Sequence, residues 1–141
     1  MDYTRRLISN IICKLLIGEN IVLNKNGCFD YMYVNDFSKI VEKFINENPK
    51  HSTYNTCTGT TVEFLTLAKI VNQIDGREKQ IVVKENGISN EYSGDNSRFI
   101  NEFGPINFTN INDSVHELFD WYKFKSKLSF DDRLFDNWVK N

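Results

Sequence analysis

The chain has 141 residues, 40% of them hydrophobic and 26% charged, with a formal net charge of −2. This is the profile of an ordinary globular domain large enough to bury a real core. It excludes the strong basic excess of a general nucleic-acid binder, and no stretch supplies the ~20 consecutive apolar residues of a membrane-spanning helix.

Leu7, Ile8, Ile11, Ile12, Leu15 and Leu16 recur at helical spacing, and Gly18 ends the segment. It is broken by Ser9, Asn10 and Lys14 and lacks a signal-peptide cleavage pattern. Residues 20–25, NIVLNK, read as a short strand, and Asn26-Gly27 as a turn into a second strand, FDYMYV. Asn35 and Asp36 mark a helix start before Phe37, Ile40, Val41, Phe44 and Ile45, with Asn48-Pro49 closing the helix. STYNTCT, residues 52–58, reads as a strand. Thr60-Thr61-Val62-Glu63 has the form of a capping box opening a helix with Phe64, Leu67, Ala68, Val71 and Ile74 on one face. Gly76 stops it.

QIVVKE is the next strand, followed by a polar surface loop over residues 85–94. Asp95 is placed to cap a short helix carrying Phe99, Ile100 and Phe103, closed by Gly104-Pro105. Val115, Leu118, Phe119 and Tyr122 mark a further helix, and Phe130, Leu134, Phe135 and Trp138 a last one. Lys123, Lys125 and Lys127 read as a solvated helix end. The order is mixed α/β, and strand–helix–strand units such as Tyr31 to Cys57 require at least one parallel pair. The expected fold is one domain, residues 1–141, with an incomplete, partly parallel sheet and flanking helices.

Cys13, Cys28 and Cys57 are far apart and odd in number, as expected of reduced thiols in a cytoplasmic protein. His51 and His116 are isolated, and no residue cluster has metal-ligand spacing. Tyr31 and Tyr33 suit either a ligand-facing strand or core packing. Asp36 suits a helix cap more readily than an acid–base group, and Trp121 and Trp138 suit packing more readily than stacking.

The motif order resembles the C-terminal portion of extended short-chain dehydrogenases/reductases, the NAD-dependent epimerase/dehydratase family. Its Arg-Asp-(aromatic)-Ile-Tyr-Val-x-Asp corner is met by Phe29-Asp30-Tyr31-Met32-Tyr33-Val34-Asn35-Asp36, and its YNVGSG strand by Tyr54-Asn55-Thr56-Cys57-Thr58-Gly59. Its Asp-x-Ser-Lys and Leu-Gly motifs are met by Asp95-Asn96-Ser97-Arg98 and Phe103-Gly104, and its closing WY by Trp121-Tyr122. The resemblance spans about residues 4–124.

It implies a substrate-binding part of a Rossmann-like enzyme of polysaccharide biosynthesis, with NAD as cofactor of the complete enzyme and a nucleotide sugar as ligand. The expected ligand-contacting residues are Phe29, Tyr31, Glu85, Glu91, Tyr92 and Arg98. No catalytic, cofactor-binding or metal-binding residue is expected in this chain. None of its seven glycines forms the Gly-rich turn that cradles a dinucleotide pyrophosphate. None of its six tyrosines is followed four residues later by the lysine that would lower a phenol's pKa for proton transfer.

The N-terminal NAD-binding part is therefore expected to be missing. Positions where family members carry phosphate-binding arginines hold Phe29, Glu85 and Glu91. Arg5, Arg6, Lys25 and Arg98 are the alternative cations. A non-enzymatic role is the competing expectation: a truncated lobe forming a homodimer, or associating through an exposed sheet edge or apolar face.

Overall fold

The computed structural model of the chain describes residues 6–129. Helix α1 (Leu7–Leu16) leads into strand β1 (Ile21–Asp30) and helix α2 (Val34–Asn46). The short strand β2 (Thr61–Glu63) runs directly into α3 (Phe64–Asp75), then β3 (Ile81–Tyr92), α4 (Ser97–Phe103) and α5 (Ile111–Ser129). The three strands form one sheet in the order β2-β1-β3, with β1 parallel to β3 and antiparallel to β2. The architecture is the expected mixed α/β with a partly parallel sheet. The last helix anticipated around Phe130–Trp138 lies outside the described residues.

Two cores hold the elements together. In the larger, Ile11, Ile12 and Leu15 of α1 meet Ile21 and Leu23 of β1, Leu67, Ala68 and Val71 of α3, and Val115, Phe119 and Tyr122 of α5. These are residues that the helical spacing places on one face. Fully burying each Leu, Ile or Val is worth about 1.5–3 kcal/mol, against which the chain pays the entropy of ordering. The smaller core gathers Ile40 of α2 and Phe99 and Phe103 of α4, with Phe44, Tyr54 and Phe108 at its margin. It is aromatic, with Phe44 meeting Phe99 at 5.6 Å and Phe103 at 5.3 Å between ring centroids, both edge-to-face.

Gly76 ends α3 at φ +72°, a left-handed conformation that glycine adopts without a Cβ penalty. Beyond it, the Asn72 amide brackets Lys79, donating to its carbonyl at 2.8 Å and accepting from its N–H at 2.9 Å. The Arg77 guanidinium bonds Asp75 and the Leu15 carbonyl, tying the end of α3 to the end of α1.

Several local expectations are corrected. Asn26-Gly27 is not a turn, because β1 runs through it unbroken. The Asn26 side chain instead accepts from the Leu65 N–H at 3.0 Å and donates to Glu63 at 3.0 Å. It thereby serves a first-turn amide of α3, the work expected of the Thr60 capping box, whose residues 61–63 form β2 instead. Gly27 is needed for space, since a Cβ there would lie 2.3 Å from Ser89 Oγ and 2.8 Å from the Phe64 ring. Ser89 can rotate away, but Phe64 is packed edge-on against Phe29 at 4.9 Å. Gly27→Ala is therefore expected to destabilise the fold by about 1–3 kcal/mol in urea unfolding, with Phe64→Leu in the same chain recovering part of the loss.

Residues 85–88 and 91–93 of the polar segment are exposed as expected, but β3 extends through it to Tyr92. Its register explains why it reads as a loop: Lys25 faces Glu85 while Asn26 faces Ile88, so β3 carries two extra residues there, with Gly87 at φ +87°. Residues 52–58 form no strand, so the parallel pair is β1–β3. That segment spends its hydrogen bonds on side chains, as the site shows. Asp36 does not cap α2, which starts two residues earlier. It is a buried anchor, its carboxylate accepting from Thr109 N–H at 2.7 Å, Thr109 Oγ1 at 3.0 Å and Lys39 Nζ at 2.7 Å.

Candidate functional site

The C-terminal end of β1 points into the segment 53–59, and the two are joined by Asp30. Its carboxylate accepts from the Thr58 N–H at 3.1 Å, the Thr58 hydroxyl at 2.7 Å and the Gly59 N–H at 2.8 Å. The connection after β3 holds the same segment from the other side. Asn96 donates to the Cys57 carbonyl at 2.9 Å, Arg98 Nη1 to the Thr53 carbonyl at 3.0 Å, and Asn55 to the Asp95 carbonyl at 3.0 Å. The N-cap of α4 is Asn96 and not the expected Asp95, which stands one residue earlier and accepts the Ser97 N–H at 2.8 Å. That hydrogen bond holds its carboxyl below the ordinary aspartate value. Side chains thus meet the backbone of Thr53, Cys57, Thr58 and Gly59 in place of a ladder partner.

Between these walls lies a cleft of about 490 Å3 lined by Asp30, Met32, Tyr54, Asn55, Cys57 and Tyr92, among others. A second cleft of about 300 Å3, bounded by Arg98, Asp95, Ser97 and Thr53, shares Tyr54 and Asn55 with it. Gly94 closes against Cys57, whose Sγ would lie 2.7 Å from a Cβ at that position. The Cys57 thiol is pushed up by burial, with Asp30 and Asp95 adding to the effect, so it is a poor nucleophile. Tyr54, backed by Phe44 at 5.1 Å, donates its hydroxyl to Glu102 at 2.8 Å.

The anticipated ligand residues are brought together in part. Phe29 lies 5.6 Å from Tyr92 and 6.3 Å from Tyr31 between ring centroids, so three of the six form one aromatic cluster. Of these, Tyr92 lines the larger cleft, while Tyr31 lines two apolar grooves beside Tyr33 and Ile111. Burial raises the Tyr31 phenol to about 12, which keeps it protonated at neutral pH. Arg98 belongs to the adjoining cleft. Glu85 sits opposite Lys25, seven residues before Tyr92. Glu91 faces Cys28 across the ladder and, next to Tyr92 in the strand, projects to the opposite face. Asn55, Cys57 and Ser93 are cleft residues that the sequence reading did not single out. The signal available was the alignment of Tyr54–Gly59 with a glycine-rich family strand.

Among the described residues, no group of histidine, cysteine, aspartate or glutamate could hold a metal ion, and no helix is long and apolar enough to cross a membrane. The three cysteines are free thiols.

The fold is shared with a portion of several solved Rossmann-like enzymes. The chain is similar in structure to the enzyme WbmH of Bordetella bronchiseptica, solved with NAD+, at 22% identity and TM-score 0.65, covering 79% of this chain and 38% of that one. It is similar to the dTDP-glucose 4,6-dehydratase of Bacillus anthracis, solved with NAD, at 15% identity and TM-score 0.71, covering 89% and 41%. The UDP-glucose 4-epimerase of Thermotoga maritima, solved with UDP-glucose, matches at 16% identity and TM-score 0.66, covering 88% and 40%. The chain thus spans about two fifths of the length of these structures. No protein-family model and no curated protein matches it.

Proposed function

We propose that the chain is the C-terminal, substrate-side part of a sugar-nucleotide epimerase or dehydratase, and that it works against a separate lobe that carries NAD. The observation that supports this most directly is the cleft between Asp30 and Tyr92, set in a fold shared with such enzymes over about two fifths of their length. In this reading the missing lobe supplies the cofactor loop and the proton-carrying tyrosine, and this chain supplies walls and selectivity. Tyr92, lining the larger cleft, and Arg98, lining the adjoining one, are its ligand-side residues, with Phe29 packed behind Tyr92.

Thermal unfolding of the chain with UDP-glucose, dTDP-glucose and NAD added separately tests it. A rise in midpoint with a sugar nucleotide, and none with NAD, is the expected result. A rise with NAD alone, or with none of the three, counts against it.

A second reading, association between copies, is favoured by α2. Val34, Phe37, Val41 and Ile45 recur at helical spacing and are 65, 45, 37 and 77% exposed. The outer edge of β3 is a poorer surface, since Lys84, Glu85, Glu91 and the irregularity at Gly87 discourage strand addition. Sedimentation equilibrium separates the readings: a dimer dissociated by Ile45→Lys supports association through α2, and a monomer removes it.

A further inference from the structure

We propose that Asn86-Gly87, in the irregular stretch of β3, is a site of spontaneous covalent modification. There the Asn86 side chain closes on the Gly87 backbone nitrogen and is converted to aspartate and isoaspartate. The inference does not depend on the reading of the cleft.

The chain has two Asn-Gly pairs, Asn26-Gly27 and Asn86-Gly87, and the fold treats them differently. In the reaction the glycine nitrogen attacks the asparagine side-chain carbon, and its proton passes through solvent to the departing group. A new C–N bond closes a five-membered imide, and the side-chain nitrogen leaves as ammonia. Water then adds to either imide carbonyl and opens the ring, giving aspartate or isoaspartate with no redox change. An asparagine amide readily folds back on the backbone beside it. What the fold must leave is an amide free to turn, a following nitrogen that no Cβ shields, and access for water.

Asn86-Gly87 meets all three conditions. Both residues are exposed. They fall between the Lys25–Glu85 and Asn26–Ile88 pairs, so neither has a register partner on β1. β3 is an edge strand, and no other strand covers its far side. Among the described residues, nothing is hydrogen-bonded to the Asn86 side chain. Gly87 stands at φ +87°, and the atom nearest the place of its missing Cβ is Lys25 Cε, 3.9 Å away.

Asn26-Gly27 fails them. Both ends of the Asn26 amide are engaged, by the Leu65 N–H and by Glu63, at 3.0 Å each. Gly27 is buried, with the Phe64 ring 2.8 Å from where its Cβ would sit. That crowding leaves no room for the tetrahedral carbon the attack creates. One dipeptide therefore serves as the control for the other.

The irregularity also lets the product persist in a folded chain. Isoaspartate inserts one more carbon into the main chain, which a regular ladder would answer by losing its pairing. Here the strand already carries two residues more than β1 matches, so the flanking pairs Leu23–Val83 and Cys28–Glu91 need not move. The new carboxylate adds a negative charge next to Glu85.

The test is peptide mass spectrometry on the full chain during prolonged incubation, in buffer and in concentrated guanidinium chloride. Isoaspartate is read separately, as methyl groups accepted from S-adenosylmethionine with an isoaspartyl methyltransferase. In buffer, the peptide carrying residue 86 should gain about 1 Da, and faster at mildly alkaline than at mildly acidic pH. The peptide carrying residue 26 should react at least about tenfold more slowly, and in denaturant the two rates should agree within about threefold. Asn86→Gln, at an exposed position, would need a slower six-membered closure, so it should keep the thermal midpoint and lose methyl acceptance by the folded chain. A folded chain in which residue 86 reacts no faster than residue 26 would overturn the inference. Methyl acceptance that survives Asn86→Gln would overturn it as well.

Discussion

Asp36→Ala should lower the unfolding free energy by about 3 kcal/mol at pH 7, as measured by urea unfolding. The carboxylate is 1% exposed and ties the first turn of α2 to the connection that enters α5 through Thr109. Removing it leaves the half-buried Thr109 N–H and hydroxyl without this acceptor, and an unsatisfied donor costs more than an average hydrogen bond contributes. Asp36→Asn keeps an oxygen for the Thr109 N–H and should lose less than half as much.

The pH dependence has a definite sign. Burial pushes the Asp36 carboxyl up, but the Lys39 ammonium and the two Thr109 donors outweigh it and leave the group below its ordinary value. A carboxylate depressed on folding stabilises above its unfolded-state pKa, and that stability is lost as pH falls through the folded value. The difference between the native chain and Asp36→Asn should therefore be full at pH 7 and shrink below about pH 4. A difference that stays constant down to pH 2 would refute this account of the anchor.

Asp30→Ala is expected to cost about 2 kcal/mol and to abolish binding in the larger cleft. Three donors from Thr58 and Gly59 converge on this one side chain, and no ladder holds that segment in place. Without Asp30 the wall carrying Asn55 and Cys57 loses its attachment to β1. Asp30→Asn can still accept from one N–H, so it should fold close to normally while weakening the ligand about tenfold. Urea unfolding and an NMR titration with UDP-glucose read the two effects separately. Unchanged ligand shifts in Asp30→Ala would show that the segment is held by the Asn96 and Arg98 contacts alone.

Where the sequence spoke through periodicity, it was legible. α1, α3 and α5 carry apolar residues at helical spacing and bury that face, and Gly76 stops α3 through its left-handed backbone. On α2 the periodicity found the helix but not its inward face, since Ile40 is buried while Phe37, Val41 and Ile45 are exposed. The failures share one cause: polar residues with local propensities were recruited by distant partners. Asn26 reads as a turn residue because its amide usually bonds its own backbone; here it serves Leu65, 39 positions away. Thr60 and Glu63 read as a capping box, but β2 takes that stretch into the sheet. Asp36 reads as a cap and is instead claimed by Thr109, 73 positions away.

The candidate cleft was legible as an aromatic corner at Phe29, Tyr31 and Tyr92. Its far wall was not, because Asn55 and Cys57 acquire their place only through Asp30, Asn96 and Asp95.

The parallel pairing of β1 with β3 also sets a kinetic condition. Ile21 meets Ile81, 60 positions further on, so the parallel ladder cannot zip from a neighbouring hairpin. Loop closure on that scale must be paid before the contacts reward it, which slows folding relative to a helical bundle of equal size. Synthesised from its N-terminus, the chain holds β1 paired only with β2, at its C-terminal end, until β3 has emerged, and α1 and α3, which share the core with Ile21 and Leu23, are what shelter the open edge in the interval.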